Sequence, residues 1–228
     1  MPINTSINWL RHATIYLVLS TLAGCASMQP VVNVQSSSTA EVNQQHLKAI
    51  ASIKHFGIQG RIGVQTDNRG FSGSTRWSHA PESDSMAIFS PLGSQVAMID
   101  ASDDGVTLIA DGKTYKADNT EILTQKTLGW RLPMQGLPDW VLGRPSPDNL
   151  ESTSEWDSAG RLTKLSQDGW NIEYSDYVAA SGFDLPRKIT LRSIDGYSAN
   201  ASQKPAPKIV LKLVVEHWDV IAEPLSMQ

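Results

Sequence analysis

The sequence GIQGRIGVQT, residues 57–66, decides the fold, because large apolar side chains alternate along it with glycine or polar ones. A period of two is typical of a β-strand that buries one face. Four more runs of this kind follow at residues 70–78, 85–90, 95–101 and 105–110, separated by short segments rich in Asp, Asn, Ser, Pro and Gly. Segments of this length join neighbouring strands, so the five runs predict an antiparallel meander.

Outside this stretch the sequence predicts a few helices. Apolar residues at helical spacing predict an amphipathic helix over residues 39–55. Asp118 opens an Asp-x-x-Glu capping box, which predicts a short helix that stops at Gly129. Pro138 is a favourable first residue for a third helix, which would hold Trp140.

Further alternating runs predict more strands at residues 152–156, 162–167, 170–174, 188–193 and 208–217, with a long polar loop over 195–207 before the last of them. The predicted fold is therefore mainly β with some α. We expect one strongly curved antiparallel sheet, with the helices laid against its concave side.

The N-terminus carries the features of an export signal: Arg11, an apolar run over residues 13–22, and the run Leu-Ala-Gly-Cys that ends at Cys25. The apolar run is too short to span a bilayer. A buried structural cysteine is the alternative, but Cys25 is the only cysteine and small residues stand where cleavage needs them. The run resembles the lipobox of bacterial lipoproteins. This resemblance implies that residues 1–24 are removed and that Cys25 is acylated.

The residues after Cys25 predict a tether and a destination. Residues 25–38 contain few large apolar side chains and many polar ones, which predicts a flexible tether. Ala26 stands where lipoprotein sorting in enterobacteria uses aspartate to retain proteins in the inner membrane, so the outer membrane is favoured.

Composition excludes several classes of function. The chain has 19 basic and 23 acidic residues, which is not the basic footprint of a nucleic-acid-binding protein. Its five histidines include no pair at metal-ligand spacing, and no nucleophile elbow, phosphate-binding loop or zinc-protease motif occurs. We therefore predict no catalytic residue, no metal and no cofactor. A lipid-active hydrolase would have to assemble its groups around Ser90, Ser94 and the histidines.

One turn carries an unusual residue. The run Ser90-Pro91-Leu92-Gly93 has the residue order of a type I turn, with Leu92 at its tip, where polar residues normally lie. Leu92 either folds back onto a neighbouring helix or projects into a bilayer or a partner. Turn chemistry alone leaves both interpretations open.

Large apolar side chains in the predicted sheet either fill a core or line a cavity for a flexible apolar ligand. Sequence does not measure that volume. Alternation along the strands places six candidates on the inner face, namely Trp77, Phe89, Met98, Trp140, Trp170 and Leu213. A shift of one residue would move a strand's side chains to the other face.

Taken in order along the chain, several motifs resemble the LolB family of outer-membrane lipoprotein receptors, over about residues 22–218. These motifs are the lipobox and the segments GRIGV (60–64), SPLG (90–93), LP (132–133), LPDWVLGRP (137–145) and QDGWNIEY (167–174). The resemblance implies an unclosed barrel of about eleven strands over residues 39–218, with helices as a lid over a hydrophobic cavity, followed by a polar tail at 219–228. The loop 195–207 and this tail depart from the family pattern.

The same resemblance implies a function. LolB-like proteins are monomers on the periplasmic face of the outer membrane of Gram-negative bacteria. They accept acylated lipoproteins from the soluble carrier LolA and insert them into the membrane without a nucleotide. The apolar residue of the turn Pro91-Leu92-Gly93 is implied to contact outer-membrane lipid. Two alternatives remain open: a structural or envelope-assembly lipoprotein with a packed core, and a LolA-like carrier, against which Cys25 argues.

Overall fold

The computed structural model describes residues 37–222, except residues 68, 129–130, 149–150 and 195–207. Within these ranges there are three helices, α1 (Ser37–Ala51), α2 (Thr120–Leu128) and α3 (Leu137–Val141). The strands are β1 (Ile53–Gln65), β2 (Gly70–Ala80), β3 (Ser83–Phe89), β4 (Gln95–Ser102), β5 (Gly105–Ala110), β6 (Lys113–Ala117), β7 (Ser152–Trp156), β8 (Leu162–Gln167), β9 (Trp170–Ala180), β10 (Phe183–Ser193) and β11 (Val210–Ala222).

All these strands form one antiparallel sheet, in the order β6-β5-β4-β3-β2-β1-β11-β10-β9-β8-β7. Two consecutive meanders thus meet where β1 pairs with β11, and the edges are β6 and β7. We call β1–β6 the first half of the sheet and β7–β11 the second half. The predicted fold class, an unclosed eleven-stranded sheet with a few helices, is confirmed.

The core lies on one face of the sheet, which we call the inner face. One row of cross-strand partners runs over it from β11 to β5 and contains only buried apolar side chains: Trp218, Ile58, Trp77, Met86, Ile99 and Leu108. Residues of both halves and of all three helices belong to the same buried apolar cluster. A single core shared by both halves of the sheet requires the sheet to curve around it.

Several predicted boundaries were wrong. Helix α1 ends at Ala51 instead of residue 55, and the buried Ile53 already belongs to β1. Ile53 lies three residues after Ile50, a spacing that also fits a helix. The sequence therefore did not show whether Ile53 belongs to the helix or to the strand. Strand β6 was missed because KTYKA has only one large apolar residue, as expected of an edge strand.

The hairpin of β9 and β10 is also longer than predicted. It turns at Ser181 and Gly182, whose φ angles of 50° and 85° are those of a two-residue type I′ turn. Strand β11 runs to Ala222, so the first residues of the predicted polar tail 219–228 belong to the sheet.

The start of α2 also differs from the prediction. The Asn119 side-chain oxygen accepts hydrogen bonds from the backbone N–H groups of Glu121 at 2.7 Å and Ile122 at 3.3 Å, so Asn119 caps the helix instead of Asp118. None of the described helices is long and apolar enough to cross a membrane. Predictions for residues 1–24, Cys25, nearly all of the tether, Gly129, the loop 195–207 and residues 223–228 lie outside the described residues.

Candidate functional site

The turn between β3 and β4 is closed by three hydrogen bonds. The Gly93 N–H donates to the Ser90 carbonyl at 2.9 Å, and the Ser90 N–H donates to the Ser94 carbonyl at 2.8 Å. The Ser94 N–H also donates to the Ser90 hydroxyl at 3.2 Å. Gly93 has a φ of 86°, which a residue with a side chain adopts only under strain. The backbone of residues 90–94 therefore holds one defined shape.

Leu92 lies at the tip of this turn, and 95% of its surface is exposed. Pro91 and Gly93 on either side are exposed as well. Leu92 thus does not fold back onto a helix, and one of the two interpretations left open by the sequence is removed. A leucine held in water by a closed turn is an available contact for an apolar phase.

Four of the six residues predicted to line the inner face do lie in the buried apolar cluster: Trp77, Trp140, Trp170 and Leu213. The β-strand members among them share the face defined by Ile58 and Ile62, to which Trp77 and Leu213 are cross-strand partners. Helix α3 inserts the indole ring of Trp140 from the other side of the core, where it is fully buried.

The other two, Phe89 and Met98, were placed on the wrong face. Phe89 pairs with Ser74 and Met98 pairs with Ala87, whereas the inner face is held by the adjacent residues Ile88 and Ile99. Both strands have apolar residues at consecutive positions, so alternation does not identify the buried face. The guanidinium of Arg76 lies 5.1 Å from the centre of the Phe89 ring, which also places that ring on the outer face.

A buried polar network holds α3 against the second half of the sheet. The Trp140 indole N–H donates to the Gln167 side-chain oxygen at 2.8 Å, and the Tyr174 hydroxyl donates to the Trp140 carbonyl at 2.9 Å. Gln167 also exchanges hydrogen bonds with the backbone of Ser146, accepting from its N–H at 2.9 Å and donating to its carbonyl at 2.8 Å. Burial raises the pKa of the Tyr174 hydroxyl well above its ordinary value, so this group stays a donor.

Arg144 ties α3 to α1. Its Nε donates to the Asp139 carboxylate at 2.6 Å, and its Nη1 donates to the carbonyl of Ile50 at 2.7 Å. That carbonyl belongs to the last turn of α1, where carbonyl groups lack helical partners. These residues that hold α3 were not predicted from the sequence. The signal for Gln167 was available, since it lies two residues after the buried Leu165 and so faces the core.

Two clefts lie at the edges of the first half. One has a volume of about 710 Å³ and is lined by polar and small residues of β2–β6, including Asp84, Asp100 and Lys116. The second has about 290 Å³ and lies between the ends of β2–β5 and the segment around Met134 and Pro138. Trp140 lines neither cleft, and nor do the other five predicted cavity residues.

The linings of the two clefts contain several titratable groups. His79 Nδ1 lies 2.8 Å from the Asp84 carboxylate, which also accepts the Trp77 indole N–H at 2.7 Å. Burial raises the pKa of the Glu121 carboxyl in the smaller cleft, and the charge of Arg131 opposes this rise. The described part of the chain contains no group of three or more His, Cys, Asp or Glu that could hold a metal ion.

The arrangement is closed in this conformation, because side chains fill the inner face beneath α3 and hydrogen bonds hold α3 in place. An apolar guest would reach Trp77, Trp140, Trp170 and Leu213 only if α3 moved away. Leu92 is available without any movement, and it is the most exposed large apolar residue that the structure describes.

Comparison with known proteins gives consistent matches. The family model described as outer membrane lipoprotein LolB matches residues 54–218. The outer-membrane lipoprotein LolB of Nitrosococcus oceani is 32% identical over 216 residues, which cover 94% of this chain and 100% of that protein. The protein of the same name from Pseudomonas savastanoi pv. phaseolicola is 31% identical over 188 residues, or 82% of this chain and 91% of that protein. Among solved structures, a LolA superfamily protein from Nitrosomonas europaea aligns with a TM-score of 0.42 and 11% identity, covering 80% of this chain and 94% of that one.

Proposed function

This chain belongs to the family of outer membrane lipoprotein LolB, and from that premise we propose that it accepts acylated lipoproteins from a LolA-like periplasmic carrier and inserts them into the outer membrane without a nucleotide. Family membership makes it an outer-membrane lipoprotein with a role in lipoprotein localisation. It is anchored by acyl chains on Cys25 at the periplasmic face of a Gram-negative outer membrane.

The observation that carries the proposal is the exposure of Leu92 on a closed turn. Full transfer of a leucine side chain from water to an apolar phase contributes about 2 kcal/mol, and a preformed turn loses little conformational entropy on contact. Leu92 therefore touches the hydrocarbon of the leaflet during delivery, and the turn directs the cargo's acyl chains to the same place.

The cargo sets the energetic requirement. An acyl chain of ~16 carbons left in water costs on the order of 12 kcal/mol at ~0.8 kcal/mol per methylene. A handover without a nucleotide runs downhill only if each acceptor binds the chains more tightly than the previous one, and ~1.4 kcal/mol per step gives a tenfold bias. The buried cluster below α3 supplies the apolar surface for this step when α3 is displaced. Trp77, Trp140, Trp170 and Leu213 then contact the acyl chains.

A test of the delivery step is the variant Leu92→Glu, compared with the matched apolar variant Leu92→Met. The side chain is exposed, so folding and the uptake of cargo from the carrier stay near normal. Transfer of an acylated lipoprotein from the loaded receptor to phospholipid vesicles falls at least roughly tenfold, because the leucine contact is lost and a carboxylate is placed at the bilayer. Unchanged transfer by Leu92→Glu contradicts the proposal.

A second candidate function, a structural or envelope-assembly lipoprotein, is favoured by the closed packing around Trp140, which has no exposed surface. The two functions differ in whether the core admits a guest. The receptor binds a fluorescent fatty acid saturably, and acylated cargo displaces it while the same cargo without acyl chains does not. A protein whose core never opens gives no saturable binding.

A further inference from the structure

The outer face of the first half of the sheet carries an apolar patch beside the Leu92 turn. Ala87, Met98 and Ile109 are cross-strand partners on β3, β4 and β5, and so form one continuous row. Phe89 lies on the same face of β3, one position before the turn. Ile109 is 40% exposed, and Phe89 and Met98 are half-buried. We call Ala87, Phe89, Met98 and Ile109 the outer patch.

The cations near this patch lie on the strands that flank it. Arg76 is the cross-strand partner of Ala87, and its guanidinium rests on the Phe89 ring. Lys116 lies on the outer face of β6, opposite Thr107. Asp100, the nearest acidic residue along β4, lies away from the turn and accepts a hydrogen bond from the Ser85 hydroxyl at 2.7 Å. Asp100, Thr107 and Lys116 thus share the next row away from the turn, where their charges oppose each other, and Arg76 is the cation that borders the patch directly. An apolar row bordered by an arginine complements a leaflet containing anionic headgroups.

The second half of the sheet offers a direct contrast on the same face. One row of cross-strand partners there contains no large apolar side chain and four charged ones: Glu155, Lys164, Glu173, Thr190 and Lys212. An apolar outer face is therefore not a requirement of this sheet. The outer patch lies next to the turn that carries Leu92, so Leu92 and the outer patch form one continuous apolar surface.

We propose that the outer patch lies against the phospholipid leaflet while Leu92 inserts, so that the protein docks through the convex face of β3–β5 and not through the turn alone. This inference rests on the proposed delivery function. An apolar row bordered by Arg76 fits a headgroup region in which Met98 and Ile109 reach the upper acyl chains and Arg76 meets phosphate. Docking on this face fixes the orientation of the inner face relative to the membrane.

The experiment uses the full mature protein in vesicles of phosphatidylethanolamine and phosphatidylglycerol, with one fluorophore per molecule. Acylation of Cys25 blocks the only natural thiol, so single variants Leu92→Cys, Met98→Cys and Thr190→Cys can each be labelled with bimane. Position 190 is the control, since Thr190 is half-buried like Met98 and lies on the outer face of the other half. Lipids brominated on the acyl chains then quench any label that reaches them.

We expect strong quenching at positions 92 and 98 and none at position 190. Quenching at 92 with none at 98 overturns the docking of the face and leaves the proposed delivery function intact. No quenching at 92 overturns the insertion of the turn and, with it, this inference. A change in bimane fluorescence at position 98 that depends on protein concentration and not on lipid also overturns the docking of this face on lipid. It would instead indicate contact between two copies of the protein.

Two further measurements test the proposal: the dependence of quenching on charge, and the rate of cargo transfer to vesicles. Arg76→Gln weakens quenching at position 98 roughly fivefold, since one cation near an anionic surface is worth about 1 kcal/mol, and vesicles without phosphatidylglycerol weaken it at least as much. Ile109→Glu slows transfer of cargo to vesicles by about tenfold, whereas the control Thr190→Glu leaves it unchanged. Equal effects of these two glutamate variants contradict the proposal.

Discussion

The two halves of the sheet are alike on the inner face and different on the outer face. Both contribute rows of buried apolar residues to one core, as in Ile99 and Leu108 of the first half and Ile172 and Leu191 of the second. Outside, one row of cross-strand partners across the second half contains Glu155, Lys164, Glu173, Thr190 and Lys212, while the corresponding row of the first half contains Ala87, Met98 and Ile109 and leads to the exposed Leu92. The inner face is dictated by folding, so the difference outside reports what each half does.

The halves also differ in how they are held. The described buried polar bonds of α3 reach the second half, through Gln167 on β8 and Tyr174 on β9. Helix α1 also docks there, since the Asn43 side-chain amide donates to the Gly160 carbonyl at 2.7 Å. The first half instead contains the two clefts and the exposed turn. We infer that the second half supplies the rigid frame and that the first half carries the contacts with lipid.

The two halves of the sheet are joined where β1 pairs with β11. We expect disruption of this seam to lower the free energy of unfolding more than any other change. A methyl group on Gly60 would overlap the backbone carbonyl of Val214, at the register shift between Gln59 and Gly60. Because that neighbour is backbone, the strands must separate, so Gly60→Ala lowers the free energy of unfolding by roughly 3 kcal/mol or more. Urea denaturation followed by tryptophan fluorescence measures this loss.

Gly63 provides a matched control on the same strand. The nearest atom to a methyl group there is the Phe71 carbonyl oxygen at 3.9 Å, an ordinary contact. Gly63→Ala therefore leaves the protein equally stable or more stable by about 0.5 kcal/mol, since alanine loses less backbone entropy on folding than glycine. Equal losses for the two variants would mean that the tight approach at Gly60 is not what joins the halves.

The sequence was sufficient to predict the fold, but it was not sufficient to predict which face of each strand is buried. Alternation and turn residues identified ten of the eleven strands, and the missed strand β6 has a single large apolar residue, Tyr115. Faces were harder, because strands such as β3 and β4 carry apolar residues on both sides, and Phe89 and Met98 were misplaced for that reason. The turn at Leu92 was read from its residue order, but its exposure depends on which neighbours pack nearby, and that is a tertiary property.

Removal of the Gln167 side chain tests whether the second half is the rigid frame and the first half the contact surface. Gln167→Ala leaves the Trp140 indole N–H, the Ser146 N–H and the Ser146 carbonyl without the partner described here. Each unsatisfied buried polar group costs about 1–3 kcal/mol, and partial hydration reduces the sum, so we expect a loss of about 3 kcal/mol in the free energy of unfolding.

Gln59→Ala is the control for this variant, because Gln59 is exposed on β1 and its loss changes stability by no more than about 0.5 kcal/mol. Vesicle quenching from position 98 stays as in the wild type in both variants, provided that the protein is folded. Loss of that quenching in folded Gln167→Ala would show that the two halves do not act separately.

The smallest expected effect concerns pH and the docking of α1 on the second half. Burial lowers the pKa of His46 below its ordinary value of 6.5, Asp184 and Asp157 oppose this shift, and Arg161 adds to it. Its Nε2 is buried without a hydrogen-bond partner among the described residues, so the folded protein favours the neutral ring. As pH falls below 6.5, the unfolded chain takes up a proton that the folded protein does not, and stability decreases until the lower folded pKa is reached.

His46→Gln removes this contribution, so urea midpoints measured from about pH 8 to about pH 5 fall less steeply in the variant than in the wild type. Parallel curves for the two proteins would mean that α1 admits solvent at His46, and that its docking on the frame is looser than the Asn43 contact indicates.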